Sequence, residues 1–416
     1  MTDHHPGGGA RLYSRQYLQV FAAVFFFMTG VALQFHFGQF VAFLGFGVDT
    51  LGHILSAGVV GTLLVRLQLG RWIDRFGCRR LWLLGSAVSA VSVLAMQFVT
   101  TLWQLIALRL ASTISMAAVM TTVAVFAAHM APRHRRTESI GIMGLAGFVG
   151  MMAGPTLGDW IFSGDVTSMT PYRVFFWGSA LCSLAAFAII FLLPNPVATG
   201  NPDVGDKASG DKESPPAPIL RVVWQYWPGA ILLVGVVFSM VFCLQASYLE
   251  RLAEERGFQD IKVFFLIYCP TAIVLRLRYR RLPENLGRTR TVIGGLILQA
   301  FGVCSLVGIT TEWGLVFPAL VMGAGHSFVF PSMVDLAAER LPYAHRGMGT
   351  SLILAACDMG NMIGFFLMGE VIDRYGFDTC LWGLAGTLIL GAGVFAFCRR
   401  GDVIRKRRFP QGAITR

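Results

Sequence analysis

Asp358 and Arg109 are charged residues inside long apolar stretches. A charge at membrane depth is costly, and where one is kept it usually serves an ion or substrate pathway. Asp358 sits near the middle of the stretch 347–371, between Ala355-Ala-Cys and Met-Gly-Asn361. A carboxyl there can gain and lose a proton as its surroundings change, which is the chemistry of proton coupling. Arg109 lies about seven residues into the stretch 102–130, where a guanidinium can hold an anion or a buried acceptor. Gln34, His36, Gln245 and His326 add polar groups to other apolar stretches, and unperturbed histidine titrates in the physiological range. Each has a plainer alternative. Asp358 can be a structural hydrogen-bond partner, Arg109 can snorkel to the nearer interface, and either histidine can simply be bonded. Asp335 and Glu339 are expected to pair with Arg340 or Arg346.

Such residues need elements that cross a bilayer. The chain has 416 residues, 55% hydrophobic and only 14% charged, so length alone would suggest soluble domains but composition overrules it. Twelve apolar runs, at approximately 18–45, 52–70, 80–99, 102–130, 138–162, 173–193, 226–248, 261–279, 290–310, 313–338, 347–371 and 378–398, are long enough to cross ~30 Å of hydrocarbon. Each must satisfy its own backbone, which predicts helices; the short alternating segments of a β-barrel are absent. The first run is too long for a signal-peptide core and is followed at once by another, so it is expected to be the first span. The expectation is an all-α integral membrane protein of twelve helices.

The formal charge of +11 is a topology signal rather than a nucleic-acid footprint. Basic residues crowd every second connection: Arg71 to Arg80, Arg133 to Arg136, Arg276 to Arg290, Arg340 with Arg346, and the tail from Arg399. By the positive-inside rule both termini are cytoplasmic. Eight cysteines show no CxxC and no zinc spacing, which predicts buried small hydrophobes and no metal. No Gly-Lys dipeptide occurs, so a phosphate-binding loop and an ATP-driven pump are excluded. No nucleophile–base–acid cluster lies outside the apolar runs, which excludes a soluble enzyme.

The chain also repeats itself at an offset of 210 residues. Gly70-Arg-Trp-Ile-Asp74-Arg75-Phe-Gly77-Cys-Arg79-Arg80 has a degraded echo in Glu284, Gly287, Arg288 and Arg290, and Arg276 matches Arg66. Pro132 maps onto Pro342, Arg136 onto Arg346, Gly150 onto Gly360 and Gly154 onto Gly364. Two halves of six spans each follow, related by an axis along the membrane normal, with a site near the midplane between them. The expected layout is an arm (1–14), a first bundle (15–193), a cytoplasmic linker (194–225), a second bundle (226–400) and a basic tail (401–416). The third and sixth spans of each half are almost free of polar residues and are expected to face lipid.

Over residues 15–400 the chain resembles the major facilitator superfamily. The carrier is the loop Gly70, Asp74, Arg75, Gly77, Arg79 and Arg80, similar to the family pattern Gly-x-Leu-x-Asp-Arg-x-Gly-Arg-Lys/Arg, with Trp72 and Cys78 as departures. The resemblance implies that this cluster latches the outward-facing state, with Asp74 accepting from a helix N-terminus; Glu284, Gly287 and Arg288 form its counterpart. Gly141, Gly150, Gly154, Pro155 and Gly158 resemble the family's antiporter motif, with Asp159 replacing the final glycine. Leu105 and Arg109 resemble a Leu-x3-Arg-x2-Gln-Gly pattern in which Ser112 and Thr113 replace the Gln-Gly pair. What the resemblance implies is a monomeric secondary transporter of a small organic molecule in a cell (inner) membrane, exporting by proton antiport, driven by the proton gradient with no bound cofactor. A proton-symport importer or facilitator of the same fold is the alternative. The substrate is left open: Arg109 and two histidines suit an anion or zwitterion, while the Phe and Met content suits an apolar molecule.

Overall fold

The computed structural model describes residues 14–130, 136–164, 166–193, 229–279, 282–339, 341 and 346–408, leaving aside the side chains at 67, 70, 74, 128, 129, 136–138, 140, 346, 347 and 400–408. The proposed linker 194–225, nearly all of the 1–14 arm, and residues 409–416 of the tail lie outside these. So do Pro132, Pro342 and the side chains of Asp74, Arg136 and Arg346.

The first half comprises α1 (Arg15–Leu33), α2 (Phe37–Phe43), α3 (Val48–Phe76), α4 (Cys78–Ala95), α5 (Leu102–Met130), α6 (Arg136–Ile161) and α7 (Met169–Leu192). The second comprises α8 (Ile231–Cys243), α9 (Leu249–Glu255), α10 (Lys262–Arg278), α11 (Leu282–Leu286), α12 (Arg288–Cys304), α13 (Val316–Glu339) and α14 (Arg346–Arg408). Ser14 caps α1 by accepting from the Tyr17 N–H at 3.2 Å. α14 is two helices joined at Gly376, where φ is +79° and only glycine is comfortable.

Among the described residues nine helical stretches are long and apolar enough to cross a membrane, one of them the doubled Met348–Arg399. α10 and α12 are 17 residues each, just short of that length. With Gly376 dividing α14, the architecture is consistent with twelve spans. Apolar side chains stay exposed on the spans expected to face lipid, among them Val91, Trp177, Leu181, Ile297, Phe301, Leu390 and Phe397.

The 210-residue offset is a structural symmetry. Gly77 ends α3 at φ +80° and Gly287 precedes α12 at φ +87°, so both arginine-rich loops turn on the same left-handed glycine. α6 packs on α1 through Gly150 and Gly154, which face Met28, Thr29, Ala32 and Leu33. The matching Gly360 and Gly364 set α14 against Val236, Met240 and Cys243 of α8. The winding also breaks at matching places: a 3₁₀ turn at Gln34–His36 separates α1 from α2, and a π turn at Leu244–Tyr248 separates α8 from α9. Such interruptions tend to mark functional segments. Gln34, His36 and Gln245 all lie on them.

Candidate transport pathway

Polar groups at membrane depth collect in three places: on each half near its winding break, and between the halves. In the first half Arg109 of α5 donates to Gln34 Oε1, and its guanidinium lies 4.8 Å from the centre of the Phe37 ring. Gln34 Nε2 donates onward to Ser179 Oγ at 3.2 Å, and Ser179 donates to the Gly30 carbonyl at 2.7 Å. Arg109 therefore turns into the bundle rather than snorkelling to its rim.

In the second half His326 lies near the middle of α13 in an aromatic box, with ring centres of Phe238 at 5.1 Å, Phe148 at 5.5 Å, Tyr268 at 5.8 Å and Phe330 at 6.0 Å. The Tyr268 hydroxyl bonds His326 Nδ1 at 2.7 Å, and Gln245 stands beside Tyr268. Arg276 reaches this box from the arginine-rich end, 5.3 Å from the Phe148 ring centre.

Between the halves, Arg66 Nε of α3 donates to Asp358 Oδ2 of α14. Asp358 is thus half of a cross-half ion pair, a partnership 292 residues apart in sequence. Nearer the arginine-poor end, Ser56 donates to the Met362 carbonyl at 2.9 Å and His53 stands 3.1 Å from Glu370. Gly52 then meets Phe365 and Gly369 so closely that a Cβ would lie 2.5 Å from a carbonyl oxygen. The equivalent place on the other side of the pseudo-axis is built differently. Asp159 Oδ2 accepts from the Lys262 backbone N–H at 2.6 Å, capping α10 of the opposite half. Its Oδ1 accepts from His36 Nε2 at 2.8 Å, and both side chains are fully buried.

His36 is therefore part of a closure between the halves rather than a side chain standing in a cavity. Removing the cap by Asp159→Ala should lower Tm, by a loss of about 1 kcal/mol for the helix end and more for the orphaned His36. Asp159→Asn, which keeps an acceptor oxygen, should retain most of it. Equal Tm for Asp159→Ala and the parent in a thermal melt would dismiss the cap.

Glu250 also sits at this end, on α9. It is 2% exposed, neither carboxylate oxygen has a hydrogen-bond partner, and it faces Gly38 of the first half. Nothing in the sequence singles it out, since an acid beside an arginine at the end of an apolar run is ordinarily solvated. Arg251 turns to Glu254 instead, at 2.5 Å.

At the arginine-rich end, Arg75 lies over the Phe76 ring, Arg79 donates to the Phe191 carbonyl at 2.7 Å, and Arg80 is exposed. Gly70 and Asp74 lie in the last turns of α3, and the Asp74 side chain is outside the described residues. Glu284 precedes Gly287, and Arg288 meets Glu339 at 3.0 Å and Asp335 at 3.8 Å. Those two acids were expected to meet Arg340 or Arg346. The turn at Gly287 aims Arg288 at α13 as a partner for both; Arg340 and the Arg346 side chain lie outside the described residues.

The five residues of the α6 motif do not act alike. Gly150, Gly154 and Gly158 face α1, and at Gly158 a Cβ would lie 2.3 Å from the His36 ring. Gly141 has nothing within 4 Å of its would-be Cβ and takes no part in that packing, although it belongs to the same motif. Pro155 lies inside the helix, and its missing N–H leaves α6 without one backbone bond near its closed end.

The sequence profile of the Major Facilitator Superfamily matches residues 18–282 and 263–413. The chain belongs to the major facilitator superfamily. It is 25% identical over 369 residues to the tetracycline resistance protein, class E, of Escherichia coli, covering 86% of this chain and 87% of the relative. It is 29% identical over 357 residues to multidrug resistance protein 1 of Bacillus subtilis (strain 168), covering 80% and 87%. Among solved structures it resembles a D-xylose-proton symporter, with TM-score 0.72, 15% identity, and 91% of this chain and 96% of that one covered. That likeness shows the fold. Family and relatives together make this superfamily member a multi-pass membrane transporter, not an enzyme.

Proposed function

We propose that this transporter exports a small organic molecule in exchange for protons, with the arginine-rich end and both termini in the cytoplasm of a bacterial inner membrane. The observation that carries the proton part is the Arg66–Asp358 pair. A carboxylate of one half is neutralised by a guanidinium of the other, so protonating Asp358 removes an attraction between halves that must rearrange during alternating access. Glu250 is a second titratable group tied to the same rearrangement, because parting α9 from the first half would hydrate it.

Direction is supported by the named relatives, a tetracycline resistance protein and a multidrug resistance protein, and by the Gly150–Gly154–Gly158 face. The polar cross-half contacts run from Arg66–Asp358 toward the arginine-poor end, while Gly141 and Gly144 at the other end stand open. In the proposed orientation this is the state in which an exporter loads from the cytoplasm. Asp74 and the Arg75–Arg80 loop are proposed to latch the opposite state, and Asp74→Asn should slow cycling without loss of inserted protein.

The test uses proteoliposomes with an acidic lumen and an enclosed pH dye, challenged from outside with tetracycline, cationic dyes, sugars and aryl carboxylates. Substrate entry accompanied by lumen alkalinisation is the expected result. Entry with lumen acidification would establish symport and overturn the proposal, and entry without a pH change would establish a facilitator.

A further inference from the structure

The pseudo-symmetry exposes a missing carboxylate. Arg66 of α3 and Arg276 of α10 are equivalents at the 210-residue offset. The partner of Arg66 is Asp358, and the residue 210 positions before Asp358 is Phe148. Phe148 is the residue that Arg276 faces. The fold therefore builds the same cross-half pair twice, once as guanidinium on carboxylate and once as guanidinium on an aromatic ring.

A ring does not replace a carboxylate. Cation–π contact is weaker than an ion pair and leaves the N–H groups of the guanidinium without acceptors. Arg276 Nε and Nη2 are buried with no hydrogen-bond partner, and so is Gln245 Nε2 on the π turn, a residue 3% exposed. All three unpaired atoms are donors. No carboxylate stands among the described groups that act on Arg276 or His326, which feel Tyr268 and Arg276 respectively. A buried cation without a counter-charge is costly unless something neutralises it. Phe148, which Arg276 faces, is one of four aromatic side chains packed about His326, with Phe238, Phe330 and Tyr268.

We propose that Arg276, with Gln245, is the subsite for the anionic group of an aromatic organic anion, whose carboxylate supplies the counter-charge that Asp358 supplies to Arg66 and whose ring system packs against the aromatic cluster at His326. Arg109 does not compete for this role, since its guanidinium is already engaged by Gln34 and Phe37. The inference rests on the transporter reading above and specifies its substrate class. It is independent of transport direction and of proton coupling.

The test measures binding rather than transport. Purified full-length protein in detergent is titrated with 1-naphthoate and, separately, with the uncharged 1-naphthamide, following tryptophan fluorescence and Tm. The carboxylate should bind saturably and at least tenfold more tightly than the amide. Arg276→Gln should erase that preference, and Arg276→Lys should keep part of it. Phe148→Asp should supply the absent counter-charge within the protein: this variant should stay folded, gain Tm in the absence of ligand, and lose the carboxylate while retaining the amide. That variant keeps the proposal open to refutation even where Arg276→Gln folds poorly. Equal binding of acid and amide, or no naphthoate binding by a protein that still moves other compounds in proteoliposomes, would overturn it. Binding of naphthoate with its Arg276 dependence, but without any proton movement in vesicles, would uphold the subsite and refute antiport instead.

Discussion

Gly154→Leu is expected to leave almost no monodisperse protein and no transport. The cause is packing of α6 on α1. A Cβ at Gly154 would lie 2.5 Å from the Leu33 backbone nitrogen and 2.6 Å from both the carbonyl carbon and the Cβ of Ala32. Two of those atoms are main chain in a helix that cannot step aside without breaking the 3₁₀ turn at Gln34–His36. Overpacking a tight interface by a single methylene typically costs about 1–3 kcal/mol, and leucine adds four carbons against a total stability of only about 5–15 kcal/mol. Gly141→Ala is the internal control. It lies on the same motif with nothing within 4 Å, so it should keep full yield and transport and gain a little helix propensity. Gly364→Leu, facing Cys243 Sγ at 2.9 Å and the Met240 Cα at 3.3 Å, should fall between them. Yield after size exclusion, Tm and vesicle transport rank the three. A wild-type Tm in Gly154→Leu would show that the α1–α6 contact is not the constraint argued here.

The ordering Gly154, Gly364, Gly141 also shows what a sequence can and cannot display. Spacing puts Gly150, Gly154 and Gly158 on one helix face, but the nine residues from Gly141 to Gly150 turn Gly141 to the opposite face. α1 still follows α6 there, with the Tyr17 hydroxyl donating to the Ser139 carbonyl at 2.9 Å, and Gly141 looks away from it. The arginine loops were legible because a positive-φ glycine and its flanking charges are local: Gly77 and Gly287 both turn as the repeat requires. Arg66 and Asp358 were each visible as charges inside apolar runs, yet their pairing crosses the whole chain and no local pattern announces it. Glu250 was hidden by its neighbour, since an acid beside an arginine at a span's end is ordinarily solvated. Asp159 appeared only as a departure from a motif. Its reason becomes plain once the Lys262 N–H and His36 are found on either side of its carboxylate. The offset itself held more than motif matching drew from it, because subtracting 210 from Asp358 names Phe148.

Asp358→Asn is expected to abolish substrate-dependent proton movement and to destabilise the protein, and the second effect has to be separated from the first. Asparagine keeps the shape of the carboxyl but cannot change charge, and it leaves the Arg66 guanidinium uncompensated at membrane depth. Breaking one side of a buried pair costs about 3–5 kcal/mol, largely through the charge left behind. Arg66→Gln should cost a similar amount for the mirror reason. Removing both, in Arg66→Gln with Asp358→Asn, takes away the two charges together. It should recover most of the lost Tm, because a neutral amide pair can bond across the same gap without a desolvated ion. Proton movement should not recover with it, since the carboxyl that faced Arg66 is gone. The double variant therefore divides stability from coupling in one molecule. A stable double variant that still moves protons with substrate would shift the proton to Glu250, to the His36–Asp159 pair or to His326. A double variant as unstable as either single one would mean the pair holds its place by more than charge, with Arg66 needed for packing along α3.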